Sequence, residues 1–190
     1  MPDNNYQIVK LIQKNQLKSF SCDEGDLNDF FYNEALLSIE KLLSVTYLFE
    51  TNQDIIAFFS LLNDKITIND VDNKSQWKAS LKKWELNRKK YHSFPAVKIG
   101  RLGVSKVYEK RGYGSQVLNF IKLLFITDNR TGCRFITVDA YNKPDKPGAI
   151  DFYLKNGFDF LNNKDKNNKT RLMYFDLSKL PPIKPHPILR

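Results

Sequence analysis

The sequence predicts an α/β protein of the α+β type, a mixed sheet with helices on its faces, and three groups of segments carry that prediction. "VTYLFE" (45–50) and "IIAFFSLL" (55–62) flank "TNQD", and Val45, Tyr47 and Phe49 alternate against Thr46 and Glu50, the period of two strands joined by a tight turn. "AVKIGRLGV" (96–104) is β-rich and leads through the glycine turn "EKRGYGS" into Val117, Leu118, Ile121, Leu124 and Phe125, which fall on one helical face. "CRFITVDA", "GAIDFYLKNG" and "TRLMYFDL" then supply a strand, a short helix closed by Gly157, and a final strand.

The remaining segments follow in chain order. An apolar stretch at 6–12 precedes "SFSCDEGDLNDFFYNEALLSIEKLL", where acids ahead of Leu27, Phe30, Phe31, Ala35 and Leu42 mark a helix start. From 63 to 94 the chain turns polar and basic, with Lys78, Lys82, Lys83, Arg88, Lys89 and Lys90 around Trp77, Leu81 and Trp84, which predicts an inserted amphipathic helix. The tail "KLPPIKPHPILR" is too rich in proline for regular structure. The expected organisation is one domain over 1–180, with a basic helical insert near 64–94 and a Pro-rich tail at 181–190.

Composition narrows the function. A chain of 190 residues with 42% apolar side chains can bury a core, and 30 basic against 21 acidic residues favour a polyanionic partner such as nucleic acid, CoA or a phosphorylated ligand. Cys22 and Cys133 form no CxxC pattern, and His92 and His186 have no neighbours at ligand spacing, so neither a disulfide framework nor a metal site is expected. The N-terminus lacks a secretory signal and no apolar run could cross a bilayer, so the reading is a cytoplasmic protein with no membrane association.

The glycine turn is where chemistry is expected. The first turn of a helix leaves N–H groups unpaired and carries partial positive charge from the dipole, so an anion belongs there. Gly112 and Gly114 remove Cβ atoms from a phosphate's approach, Ser115 offers a hydroxyl, and Lys110 and Arg111 add full charges. The P-loop and the dinucleotide fingerprint are both absent. A structural glycine turn is the competing explanation, and context decides between them.

That context is a resemblance. "KIGRLGVSKVYEKRGYGSQVLNFIK", followed by "CRFITVDAYN" and "AIDFYLKNGF", resembles the core of the GNAT superfamily of acyl-CoA-dependent N-acetyltransferases, over about a third of the chain from Val97 to Phe158. The resemblance implies a mostly antiparallel, twisted sheet flanked by helices and acetyl-CoA as co-substrate. Its [QR]-x-x-G-x-[GA] loop corresponds to Glu109, Lys110, Arg111, Gly112, Tyr113 and Gly114, with Glu109 departing from the preferred Gln or Arg. It further implies main-chain contacts to the acyl carbonyl and pantetheine near Leu102 and Val104, a polar contact from Asn142, and Tyr153 as the acid that protonates the thiolate. Asp139 and Glu109 are candidate bases, each also readable as an ordinary solvated carboxylate.

A looser likeness joins "FSCDEGDLNDFF" and "GRLGV" to tRNA-acetylating toxins of the same superfamily, which implies aminoacyl-tRNA as the acceptor. The readings left open are an acetyltransferase acting on an unidentified primary amine, a toxin acetylating the α-amine of aminoacyl-tRNA, and a noncatalytic module that binds CoA or RNA. A homodimer is compatible with each.

Overall fold

The acids at 23–29 open a helical region where they complement the helix dipole. Helix α1 (Gly25–Asp29) runs through a π-helical turn, Phe30–Glu34, into α2 (Ala35–Glu40). The computed structural model describes residues 6–86, 91–127, 129, 132–143 and 148–181. Strands β1 (Gln7–Lys10), β2 (Val45–Glu50), β3 (Ile55–Thr67), β4 (Ser93–Val104), β5 (Phe135–Tyr141), β6 (Asp159–Phe160) and β7 (Thr170–Asp176) form one sheet in the order β1-β2-β3-β4-β5-β7-β6. The pairs β1–β2, β2–β3, β5–β7 and β6–β7 are antiparallel, as a mixed, mostly antiparallel sheet requires. Helices α3 (Lys74–Lys83), α4 (Tyr113–Thr127) and α5 (Ala149–Lys155) complete the set. No helix among the described residues is long and apolar enough to cross a membrane.

The chain divides into two units, Met1–Leu62 with Ile99–Ile121, and Asn63–Lys98 with Lys122–Arg190. In the first unit the predicted hairpin pairs Val45 with Leu61 through Phe49 with Ala57, and a bulge follows at Phe49/Glu50. Its core includes Phe20, Phe31 and Phe58, whose ring centroids lie 5.0–5.1 Å apart, with Phe30 stacked 6.1 Å from Phe58. Burial of one such ring stabilises by about 1.5–3 kcal/mol. Gly103 exists for this cluster: a Cβ there would stand 2.8 Å from Phe58 and 3.0 Å from Phe20.

Helix α2 stops without a glycine. Leu42 adopts φ 57°, and the N–H groups of Leu42 and Leu43 donate to Ile39 O (3.0 Å) and Ser38 O (2.8 Å), the two hydrogen bonds of a Schellman stop. A left-handed leucine, 92% exposed, is strained with nothing gained by packing. Leu42→Gly should therefore raise stability by about 1 kcal/mol, read as a higher urea midpoint at constant slope.

In the second unit the insert proves shorter than 64–94. Strand β3 continues to Thr67 and β4 begins at Ser93, so only α3 and its flanks are excursion. Asn73 caps α3 by accepting from Gln76 N–H at 2.9 Å. Trp77 and Trp84 share a buried face as expected, edge to face at 5.9 Å, with Phe94, Phe135 and Tyr174 packed around Trp84. Both indole N–H groups are satisfied, by Tyr91 O (3.1 Å) and the Tyr174 hydroxyl (3.3 Å). Arg88, Lys89 and Lys90 lie outside the described residues, as does the tail from 182.

The loop between β6 and β7 folds around a buried ion pair. Asp165 accepts from Arg171 Nε (2.7 Å) and from Leu172 N–H (2.6 Å), and Arg171 also donates to Asn162 O (3.0 Å). Asp72 ties the same loop to the start of α3 by accepting the N–H groups of Asn163 and Lys164.

Candidate functional site

In the first unit, β4 leads into the glycine turn under tight control. Ser105 N–H donates to Ile56 O and Lys106 N–H to Ser21 O, both at 2.8 Å, which fixes the chain as it leaves the sheet. A 3-10 turn at Lys106–Tyr108 follows. Lys110 (φ 57°) and Gly112 (φ 87°) are then both left-handed within three residues, backbone geometry of the kind from which anion-binding concavities are built. Among the described residues nothing lies within 4 Å of a Cβ built on Gly112, so its backbone faces away from them.

Helix α4 begins at Tyr113, and Gln116 is the first residue whose N–H reaches back, to Gly112 O at 3.2 Å. Among the described residues the amides of Tyr113, Gly114 and Ser115 have no acceptor. They are the unpaired donors that a 15-residue helix presents at its positive end. Lys110 and Arg111 are exposed beside them, the guanidinium 5.7 Å from the Tyr108 ring. The side chain of Tyr113 is buried between Tyr6 (6.1 Å) and Tyr108 (5.8 Å), so its main-chain amide is what it can offer a ligand. Glu109 is half-buried, as are Leu102 and Val104 near the end of β4.

Tyr153 belongs to the second unit, and its position is set by the stop of α5. Gly157 takes φ 82°, its N–H donates to Leu154 O (2.9 Å), and Phe158 N–H donates to Tyr153 O (3.0 Å). This Schellman stop carries its usual apolar contact, here the Phe158 and Tyr153 rings at 5.2 Å. Phe152 flanks Tyr153 at 5.1 Å. The Tyr153 side chain is buried, and burial pushes the phenol well above its ordinary range. Among the described residues its hydroxyl takes no hydrogen bond, so the proton is both retained and uncommitted.

Two other residues have their polar groups engaged by the protein. The side-chain amide of Asn142 donates to Lys166 O (2.9 Å) and Asn168 O (3.0 Å), which leaves Oδ1 for any ligand. Asp139 is ion-paired to Lys98, as a solvated carboxylate would be rather than a free base. Sequence reasoning missed Lys122. Its ammonium donates to Asn156 O at 2.7 Å, at the C-terminus of α5, and lies 4.2 Å from the centre of the Phe175 ring. Burial lowers its pKa, and the hydrogen bond completes the helix stop that holds Tyr153. Nothing in the local pattern around Lys122 marks this role, because its partner is 34 residues away.

No family model matches the sequence, and no curated protein matches it at a significant level. Among solved structures the chain is similar to a tyrosine-to-phenylalanine variant of KacT, at 19% identity and TM-score 0.70 over 91% of this chain and 96% of that one. It is similar to AtaT complexed with acetyl-methionyl-tRNAfMet, at 18% identity and TM-score 0.70 over 92% and 96%. It also resembles AtaTR bound with AcCoA, at 17% identity and TM-score 0.68 over 93% and 96%. At such identities the likeness establishes the fold: the chain has the GNAT-like architecture of KacT and AtaT.

Proposed function

We propose that the chain is an acetyl-CoA-dependent N-acetyltransferase, with the glycine turn holding the CoA diphosphate and Tyr153 acting as general acid. The observation that carries this reading is the set of unpaired amides at Tyr113, Gly114 and Ser115 beside two left-handed residues, within a GNAT-like fold. Lys110 and Arg111 add charge to the diphosphate, and main-chain groups near Leu102 and Val104 guide the pantetheine. A neutral amine attacks the acetyl carbonyl, the C–N bond forms, the C–S bond breaks, and the Tyr153 proton passes to sulfur as the amine proton leaves to water. Two similar structures support acetyl-CoA, since AtaTR was solved with AcCoA and an AtaT variant toxin with Acetyl-CoA and the C-terminus of the antitoxin AtaR.

A second reading narrows the acceptor to the α-amine of aminoacyl-tRNA. With Asp139 paired to Lys98, Glu109 is the one candidate base left for a lysine-like amine at pKa about 10.4, whereas an α-amine near 7.7–8.0 is already partly neutral and can lose its proton to water. AtaT complexed with acetyl-methionyl-tRNAfMet supports the same direction. The noncatalytic alternative leaves the uncommitted Tyr153 hydroxyl without a use.

Calorimetric titration with acetyl-CoA tests the cofactor site. Gly112→Val, which strains the left-handed backbone by about 1–2 kcal/mol and fills the open face, should weaken binding about tenfold. Absence of binding by the unsubstituted protein would remove the reading. A comparison of aminoacyl-tRNA with lysine peptides as acceptors separates its two forms.

A further inference from the structure

We infer that the exposed face of α3 is a docking surface for an RNA backbone, built on Lys74, Lys78 and Lys82. The surface rests on the nucleic-acid reading of the acceptor but not on the acetyl-transfer chemistry. Charge is divided unevenly along the chain. Of the 30 basic and 21 acidic residues, 22 and 11 fall in the second unit and 8 and 10 in the first, formal charges of +11 and −2. The excess that favours a polyanion therefore belongs to the unit that contains α3.

Within that unit, most of the described basic side chains near α3 are engaged. Lys83 and Lys179 both pair with Asp159, Arg171 with Asp165, and Lys164 donates to Asn69 O. Lys74, Lys78 and Lys82 differ: all three are exposed, and among the described residues none has an ion pair or a hydrogen bond. They stand four residues apart in an exposed row that flanks the buried stripe of Trp77 and Leu81, in a helix that contains no acidic residue. The arrangement works against the helix twice. Like charges at i, i+4 destabilise by about 0.2–0.5 kcal/mol per pair, and Lys74 occupies the first helical position, where the dipole disfavours a cation. No contact within the described residues offsets either cost.

An external polyanion does offset both. The three ammonium groups project at intervals of about 6 Å along about 12 Å of helix, a length that passes roughly three to four phosphates of one strand. The acids nearest the row are occupied: Asp72 accepts the Asn163 and Lys164 amides, and Asp70 accepts Thr67 N–H at 2.6 Å. The N-terminal turn of α3 and Lys164 also border a depression of roughly 380 Å³. Of the other lysines of the insert, Lys83 is paired to Asp159, and Lys89 and Lys90 lie outside the described residues.

The test is the salt dependence of bulk tRNA binding, followed by fluorescence anisotropy between 50 and 200 mM KCl in the absence of acetyl-CoA. Lys74→Gln, Lys78→Gln and Lys82→Gln combined should lower the slope of log K against log salt by about 2–3 and weaken binding at low salt at least tenfold. The corresponding triple arginine variant should retain both. Circular dichroism and acetyl-CoA titration should be unchanged by either set, which separates a lost surface from a lost fold. An unaltered slope in the glutamine variant would overturn the surface while leaving the acetyltransferase reading intact. Failure of the unsubstituted protein to bind tRNA would overturn both the surface and the aminoacyl-tRNA acceptor. Loss of binding to phosphatidylserine vesicles with RNA binding retained would reassign the row to a membrane and likewise overturn the proposal.

Discussion

Tyr153→Phe should lower the turnover of acetyl transfer by about 10²–10⁴ while leaving acetyl-CoA affinity within about twofold, because it deletes one hydroxyl and keeps the ring between Phe152 and Phe158. The stop at Gly157 is made by main-chain groups and is indifferent to that hydroxyl. A stability change should be correspondingly small, since the hydroxyl takes no hydrogen bond among the described residues. The pH profile carries a second signature. Burial raises the phenol above its ordinary value near 10, so the acid stays protonated through that pH. Activity should rise as the acceptor amine loses its proton and hold its plateau to at least pH 10. A falling limb near 8.5, or full turnover in the phenylalanine variant, would assign the acid elsewhere. Because the raised pKa makes complete proton transfer to a thiolate near 8.5 uphill, the proton must move while the C–S bond breaks.

Arg171→Met should cost about 3–5 kcal/mol, the largest stability loss expected of a single change outside the aromatic core. Asp165 would remain buried with its guanidinium removed, still holding Leu172 N–H but carrying an unpaired charge. The Phe160 ring, 4.0 Å from the Arg171 guanidinium, would lose its cation partner, although methionine keeps part of the packing. Urea denaturation would read the loss. Asp165→Asn in the same background should recover part of it, and a milder single-variant effect, under about 1 kcal/mol, would show that water reaches the carboxylate.

The fold was legible where period and punctuation coincide. Val45, Tyr47 and Phe49 alternate before a short turn, and Gly157 ends an apolar helical segment, so the β2–β3 hairpin and α5 stand where the sequence indicates. Boundaries failed where polar residues face solvent from within a strand: Asn63 and Lys65 extend β3 beyond the apolar run and resemble the start of a loop. Strand β6, only Asp159 and Phe160, is too short to carry a period. Leu42 and Glu85 adopt left-handed backbone without the glycine that usually announces it.

The candidate site divides in the same way. The bare turn at Gly112 is written in local sequence because φ and unpaired amides are local properties. The Lys98 partner of Asp139, the carbonyls that engage Asn142 and the Lys122 hydrogen bond to Asn156 are products of long-range folding, and no local spacing encodes them.

Gly103 and Phe58 form a single mutational unit. A methyl group on the strand needs the space that the ring fills, and the ring is fully enclosed by Phe20, Phe30 and Phe31, so neither position can drift alone. Homologues that carry alanine at the first position should carry a smaller side chain at the second, and the covariance would record the coupled change long after overall identity has decayed.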